Sequence, residues 1–156
     1  MERYETINWA ATYFATGFAA EAALLAWTGA IRGQLGFRRA WDMAGVVGTA
    51  LFLFALAVQP FVGLLLGRDW RAAEVFGIAP DPTVVATLGV LLVAKEEPCF
   101  HLLAVPVLWC AVSGTTLWTM EAGDFWVLPL AAVVTLVLAA RTMLRPAAPT
   151  RAGRIP

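Results

Sequence analysis

A single carboxylic acid, Glu21, sits inside the greasy stretch ATGFAAEAALLAW (residues 15–27). An acid in apolar surroundings has two uses. It can exchange a proton or hold a cation, or it can stay neutral and hydrogen-bond to a neighbouring helix. The second is the more common use. Gln59 is followed by Pro60, which leaves the Leu56 carbonyl without its helical donor. That break offers a small polar pocket, or a kink satisfied by neighbours. Ser113 falls near the depth of Gln59, so a Gln59–Ser113 contact is expected before a Gln59–Glu21 one. Glu21, Gln59 and Ser113 are the candidate intramembrane polar site.

Other residues carry weaker signals. His101 stands beside EEPCF and could ligate a porphyrin or metal, though a lone interfacial histidine more often serves as a polar end group. No cofactor is expected, with a single-histidine tetrapyrrole contact at His101 left open. Cys99 beside His101 has the spacing of a nucleophile and base, a signal that any neighbouring cysteine and histidine would give. Cys99 and Cys110, if on one helix, stand about 16 Å apart. A disulfide needs Cα atoms within about 7 Å, so both are expected as free thiols. Two cysteines and one histidine cannot complete a four-ligand zinc site without carboxylates. No phosphate loop, zinc helix or nucleophile elbow occurs, and neither a catalytic residue nor a metal centre is assigned. In the run Pro80-Asp81-Pro82, Asp81 reads as an N-cap and Pro82 as the first helical position.

The elements that must position these residues are apolar runs. The chain of 156 residues is 60% hydrophobic and 14% charged, with a mean hydropathy of +0.74. Soluble domains average about 45–50% apolar and about 25% charged, so the excess is expected to face lipid. Zero net charge argues against nucleic acid, which demands a basic face. Segments 7–31, 43–66, 101–120 and 125–144 are long enough for a hydrocarbon core near 30 Å. Segment 83–94 covers only about 18 Å, so it is a short span, a re-entrant half-helix, or a span completed by the preceding loop. The fold class is therefore all-α, a polytopic transmembrane bundle of four to five spans. Residues 1–144 form one domain, and the Pro-rich basic tail 145–156 has no reason to fold alone. Both span counts place eight of the 11 Lys and Arg residues on the cytoplasmic side together with the C-terminus; five spans with the N-terminus outside are favoured. Trp9, Trp41, Trp70, Trp118 and Trp126 fall near expected interfaces, while Trp27 and Trp109 lie deeper and read as packing. An acidic, aromatic start does not resemble a secretory signal.

Glu21 lies about 21 Å into its segment. An Asp, Lys or Arg at that depth costs about 2.5–3.5 kcal/mol on insertion scales, which an Ala-rich helix barely offsets. Glu21 should therefore face other helices or a watery cavity, on one face with Phe14, Gly17, Phe18, Leu24, Leu25 and Thr28.

Residues 55–114 resemble a bacterial membrane family labelled domain of unknown function 6064. Its pattern reads YP-x-x-G, FG-x-x-P-x-P-T, T-x-G-x-LL and IP-x-LW. Here those positions hold Gln59-Pro60 and Gly63, FGIAPDPT (76–83), TLG (87–89) and VPVLW (105–109). INWAATYFATGFAAEA (7–22) is similar to an earlier helix of the family, and the likeness covers about residues 7–140. Members begin with more helix than this chain. They carry cysteine where this chain has Asp81, and glutamine where it has Glu21; an amide there favours an architectural hydrogen bond. The resemblance implies a multi-helix protein of the bacterial inner membrane and carries no activity.

Three roles follow as expectations. The leading one is a non-catalytic accessory or scaffold subunit of a larger membrane assembly, respiratory or photosynthetic, held by other membrane chains or by copies of itself. The alternative is a small transporter or channel with Glu21 as its proton or ion site. A membrane enzyme using Cys99 or His101 ranks last.

Overall fold

The computed structural model describes residues 12–13, 15–24, 27, 42–67, 75–77, 79–94 and 100–144, and every regular element among them is helical. Helix α1 runs over 15–24. Helix α2, Met43–Ala57, starts where the Asp42 carboxylate accepts from the Gly45 N–H at 2.7 Å, an N-cap that satisfies one orphan donor of the first turn. It stops at Val58 because Pro60 can donate nothing to the preceding turn. Helix α3, Gln59–Leu65, continues from there bent by 57°.

Helix α4 spans Pro80–Val93, α5 Phe100–Thr119 and α6 Val127–Met143. The start of α4 corrects the expected cap. Ala79 is the N-cap, Pro80 opens the helix and Asp81 already lies in its first turn. A proline is well suited to that opening position because its missing N–H would be an orphan anyway. Thr83 closes the turn instead: its hydroxyl donates to the Ala79 carbonyl at 2.7 Å and accepts from the Gly77 N–H at 3.0 Å. With 14 residues, α4 is about 21 Å long.

Contacts between the helices set their directions. A Cβ at Gly48 would meet Gly89, Leu92 and Val93, and one at Gly89 would meet Gly48 and Phe52. Numbers rise on α2 as they fall on α4, so the pair is antiparallel. Asp81, at the start of α4, bonds to Trp109 and Ser113 in the second half of α5, while the far end of α4 leads directly into α5. That pair is a helical hairpin. Gly114 against Pro129 makes α5 and α6 a second one. The path α2, α4, α5, α6 thus alternates in direction.

α4 is the central helix. Val84, Val85, Ala86, Leu88, Leu91 and Leu92 are buried along it, against α2, α5 and α6. Ala55, Leu103, Cys110, Leu128 and Ala139 complete the core. The outer faces are as apolar as the inside: Leu53, Phe61, Leu108, Val112, Leu130 and Val133 are exposed. Among the described residues Leu102–Thr119 is by itself long and apolar enough to cross a membrane. The bent α2–α3 pair adds a second if it is one span, while α4 and α6 are apolar but shorter.

Trp109 packs as expected, edge-on to Phe18 at 6.2 Å between ring centroids. Trp27 does not: it is 52% exposed, so its depth in the sequence pattern does not translate into packing. Cys110 is a fully buried free thiol; Cys99 and the side chain of His101 lie outside the described residues. In a Cys99→Ala background, Cys110 is expected to resist maleimide in mild detergent and to react fully once SDS unfolds the chain. Equal labelling in both states would overturn its place in the core.

Candidate functional site

The buried polar groups begin with the first turn of α4. Asp81 is only 6% exposed, and both carboxylate oxygens are engaged by α5. The Trp109 indole N–H donates to Oδ1 at 2.6 Å, and the Ser113 hydroxyl donates to Oδ2 at 2.8 Å. Trp109 and Ser113 are four residues apart, so one face of α5 presents both donors. Asp81 also lies in the first turn of α4, where the helix N-terminus presents its free N–H groups. Pro82 and Pro106 are fully buried beside this contact level, so rigid backbone frames the carboxylate. The result is a clamp between two helices: a charge whose demands are met by two short hydrogen bonds and a helix end.

Three further buried polar side chains have oxygens without a hydrogen-bond partner among the described residues. These are both carboxyl oxygens of Glu21, Oε1 of Gln59 and Oγ1 of Thr135. Glu21 is 4% exposed, Gln59 7% and Thr135 0%. The expected Gln59–Ser113 contact is therefore not formed. Ser113 spends its hydrogen on Asp81, the stronger acceptor because it is charged, and Gln59 is left with an unmet carbonyl.

Helix register places Gln59 and Thr135 near the level of the Asp81 clamp. The antiparallel α2–α4 register carried from Gly48–Gly89 brings the end of α2, and Gln59 after it, to the first turn of α4. The α5–α6 register carried from Gly114–Pro129 brings Thr135 level with Trp109. Glu21 follows Phe18 by three residues, about 4.5 Å along α1, and the Phe18 ring meets Trp109. Gly17 lets this face of α1 approach α5 closely; a Cβ there would touch the Val105 side chain at 3.4 Å. The bundle is thus polar around the first turn of α4 and apolar toward its other end.

Of the three residues proposed from sequence, Glu21 and Gln59 are buried with unmet oxygens, and Ser113 is a donor to Asp81. Sequence reasoning missed the central role of Asp81, the donor role of Trp109 and the buried Thr135. One signal was available. Asp81 and Ser113 lie at equal sequence distances from Glu97, in the KEEPCF interruption, the symmetry expected of partners on two helices that run antiparallel. A separate cleft of about 200 Å³ between α2 and α4 is lined by Thr49, Phe52, Val90 and Val93. It is apolar and lies toward the other end of α4, away from Asp81.

A family model described as "Family of unknown function (DUF6064)" matches residues 4–149, nearly the whole chain. No curated protein and no solved structure matches.

Proposed function

The chain belongs to the DUF6064 family, and from that footing we propose that it is a non-catalytic integral membrane protein, an accessory or scaffold subunit of a larger membrane assembly. The observation that carries this reading is the inverted distribution of polarity. Large apolar side chains face outward on α2, α3, α5 and α6, whereas carboxylates and an amide lie inside. A soluble monomer seldom exposes contiguous apolar patches beyond a few hundred Å²; lipid solvates such a surface without cost.

The alternating directions of α2–α3, α4, α5 and α6 support a five-span path once α1 is counted. A re-entrant α4 would return the chain to the side it came from and make α2 and α5 antiparallel, whereas both run antiparallel to α4. Positive charge then puts the C-terminus in the cytoplasm. The Asp81 clamp serves this role: it fixes the central helix against α5 where lipid-facing packing alone gives little orientation.

A native pull-down in mild detergent tests the assignment. A stoichiometric complex with other membrane chains is expected, and Glu21→Gln should leave it intact. A chain that purifies alone and carries ion flux in vesicles would replace the scaffold with the transporter.

A further inference from the structure

We propose that the cleft between α2 and α4 holds one acyl chain of an anionic phospholipid, whose headgroup meets the cations at the cytoplasmic end of the bundle. The site rests on the membrane reading above, which supplies the lipid. Thr49, Phe52, Val90 and Val93 line the cleft, about 200 Å³ in volume. Apolar cavities of this order stay dry and take up apolar groups. The one polar side chain of that lining is already engaged: the Thr49 hydroxyl donates to the Gly45 carbonyl at 2.8 Å. Nothing in the lining asks an occupant for a hydrogen bond.

The fold makes the space and opens it outward. At the Gly48–Gly89 crossing neither helix has a side chain, and a Cβ on either would lie 2.6 Å from the other's carbonyl oxygen. Phe52, Val90 and Val93 follow those glycines within about one turn and border the groove beside the crossing. Val46 and Leu53, a turn to either side of Thr49, are 50% and 53% exposed. The cleft therefore lies on an apolar outer face, the kind that lipid covers.

Charge selects the lipid class. The cleft lies toward the far end of α4, and Lys95 follows the lining residue Val93 by two positions. α6 runs parallel to α4, so Arg141, exposed in the last turn of α6, stands at the same end. α2 begins at that end, and Arg38 and Arg39 precede its Asp42 cap by four and three positions in the sequence. On the five-span path this side of the membrane takes eight of the 11 Lys and Arg residues but only three of the 11 Asp and Glu residues, Asp42, Glu96 and Glu97. Asp42 is itself occupied in capping α2. Basic residues beside a cleft between helices at the cytoplasmic surface hold anionic headgroups. An acyl chain that enters at Val93 runs inward past Val90 to Phe52, with its headgroup left beside Lys95.

The test uses the full chain in vesicles of equal parts phosphatidylcholine and phosphatidylglycerol. A trace of phosphatidylglycerol with a photoreactive acyl chain is included, or of phosphatidylcholine carrying the same chain. After illumination, mass spectrometry maps the adducts. They are expected to concentrate on residues 49–52 and 90–93, several-fold more with the glycerol headgroup than with choline. Val90→Phe, which fills the cleft, should remove the concentration. Lys95→Gln combined with Arg141→Gln should erase the preference between headgroups. Adducts spread evenly over Leu108, Leu130 and Val133 overturn the site and leave the membrane reading standing. Labelling of those three residues that spares the cleft also overturns it, and points to a protein chain as the occupant. Equal concentration with both headgroups overturns the anionic class. No adduct anywhere would overturn the membrane reading as well. The wild-type map decides the site even if Val90→Phe does not fold.

Discussion

Replacing Asp81 with alanine is expected to destabilise the folded chain by roughly 3 kcal/mol, mostly through the loss of the two hydrogen bonds that it accepts. The Trp109 indole N–H and the Ser113 hydroxyl both point at this carboxylate. The single changes on the other side of the clamp should cost less. Ser113→Ala removes one donor and leaves the acceptor with the other, for about 1 kcal/mol. Trp109→Phe removes the indole N–H while keeping a ring against Phe18, at a similar or somewhat larger cost. Asp81→Asn keeps the shape and one acceptor oxygen but turns an amide N–H₂ toward the second donor, so it should fall between wild type and alanine. Because the residues act as a unit, Asp81→Ala and Ser113→Ala should be non-additive: once the carboxylate is gone, removing the hydroxyl relieves an unmet donor. SDS unfolding of the purified chain, followed by tryptophan fluorescence and circular dichroism, measures all of this. An Asp81→Ala chain as resistant as wild type would mean the clamp does not hold α4 to α5.

Gly89→Ala is expected to cost about 3 kcal/mol, the upper end of what overpacking usually does. A methyl group there would sit 2.6 Å from the Gly48 carbonyl oxygen and 2.9 Å from the Phe52 nitrogen. Both are backbone atoms, so no side-chain rotation relieves the clash and the two helices must part. Gly48→Ala meets the same wall from the other side, 2.6 Å from the Gly89 carbonyl. Small residues at such a crossing are how apolar helices gain close van der Waals contact where no hydrophobic effect drives them together. Gly123→Ala is the control. Its methyl would meet only the Leu66 side chain, at 3.4 Å and beyond, and should change stability by less than about 0.5 kcal/mol. The same SDS titration reads the difference. A Gly89→Ala chain that unfolds with Gly123→Ala would refute the close approach of α2 and α4. Since α4 also carries Asp81, parting α2 from α4 should also shift Gln59 relative to the clamp.

Several features of the fold were legible in the residues. The apolar runs at 43–66, 101–120 and 125–144 became α2 with α3, α5 and α6, because a helix closes its hydrogen bonds within its own segment and an apolar run is a local property. Pro60 announced the break at Val58 for the same reason, since the missing N–H is local. The start of α4 was misjudged by a few residues. Asp81 and Pro80 are both good helix openers, and propensity does not say which of them opens. What decided it was remote: the Asp81 side chain is taken by donors 28 and 32 residues away, leaving the opening to Ala79 and Pro80.

The candidate site divides in the same way. Glu21 and Gln59 stood out because a polar residue inside an apolar run is conspicuous whatever surrounds it, and both are buried. Ser113 was placed at the right depth and given the wrong partner. Thr135 gave no signal, because a threonine in a helix ordinarily satisfies its hydroxyl on its own backbone. From the sequence by itself came the helical segments, the helix break and the acids that require shelter, all set by interactions that close within a few residues. Only the tertiary structure decided that α4 is the central helix and that Asp81 rather than Gln59 receives Ser113. Those outcomes depend on register between helices far apart in the chain. That register is set by Gly48 against Gly89 and Gly114 against Pro129, contacts of shape that no local pattern encodes.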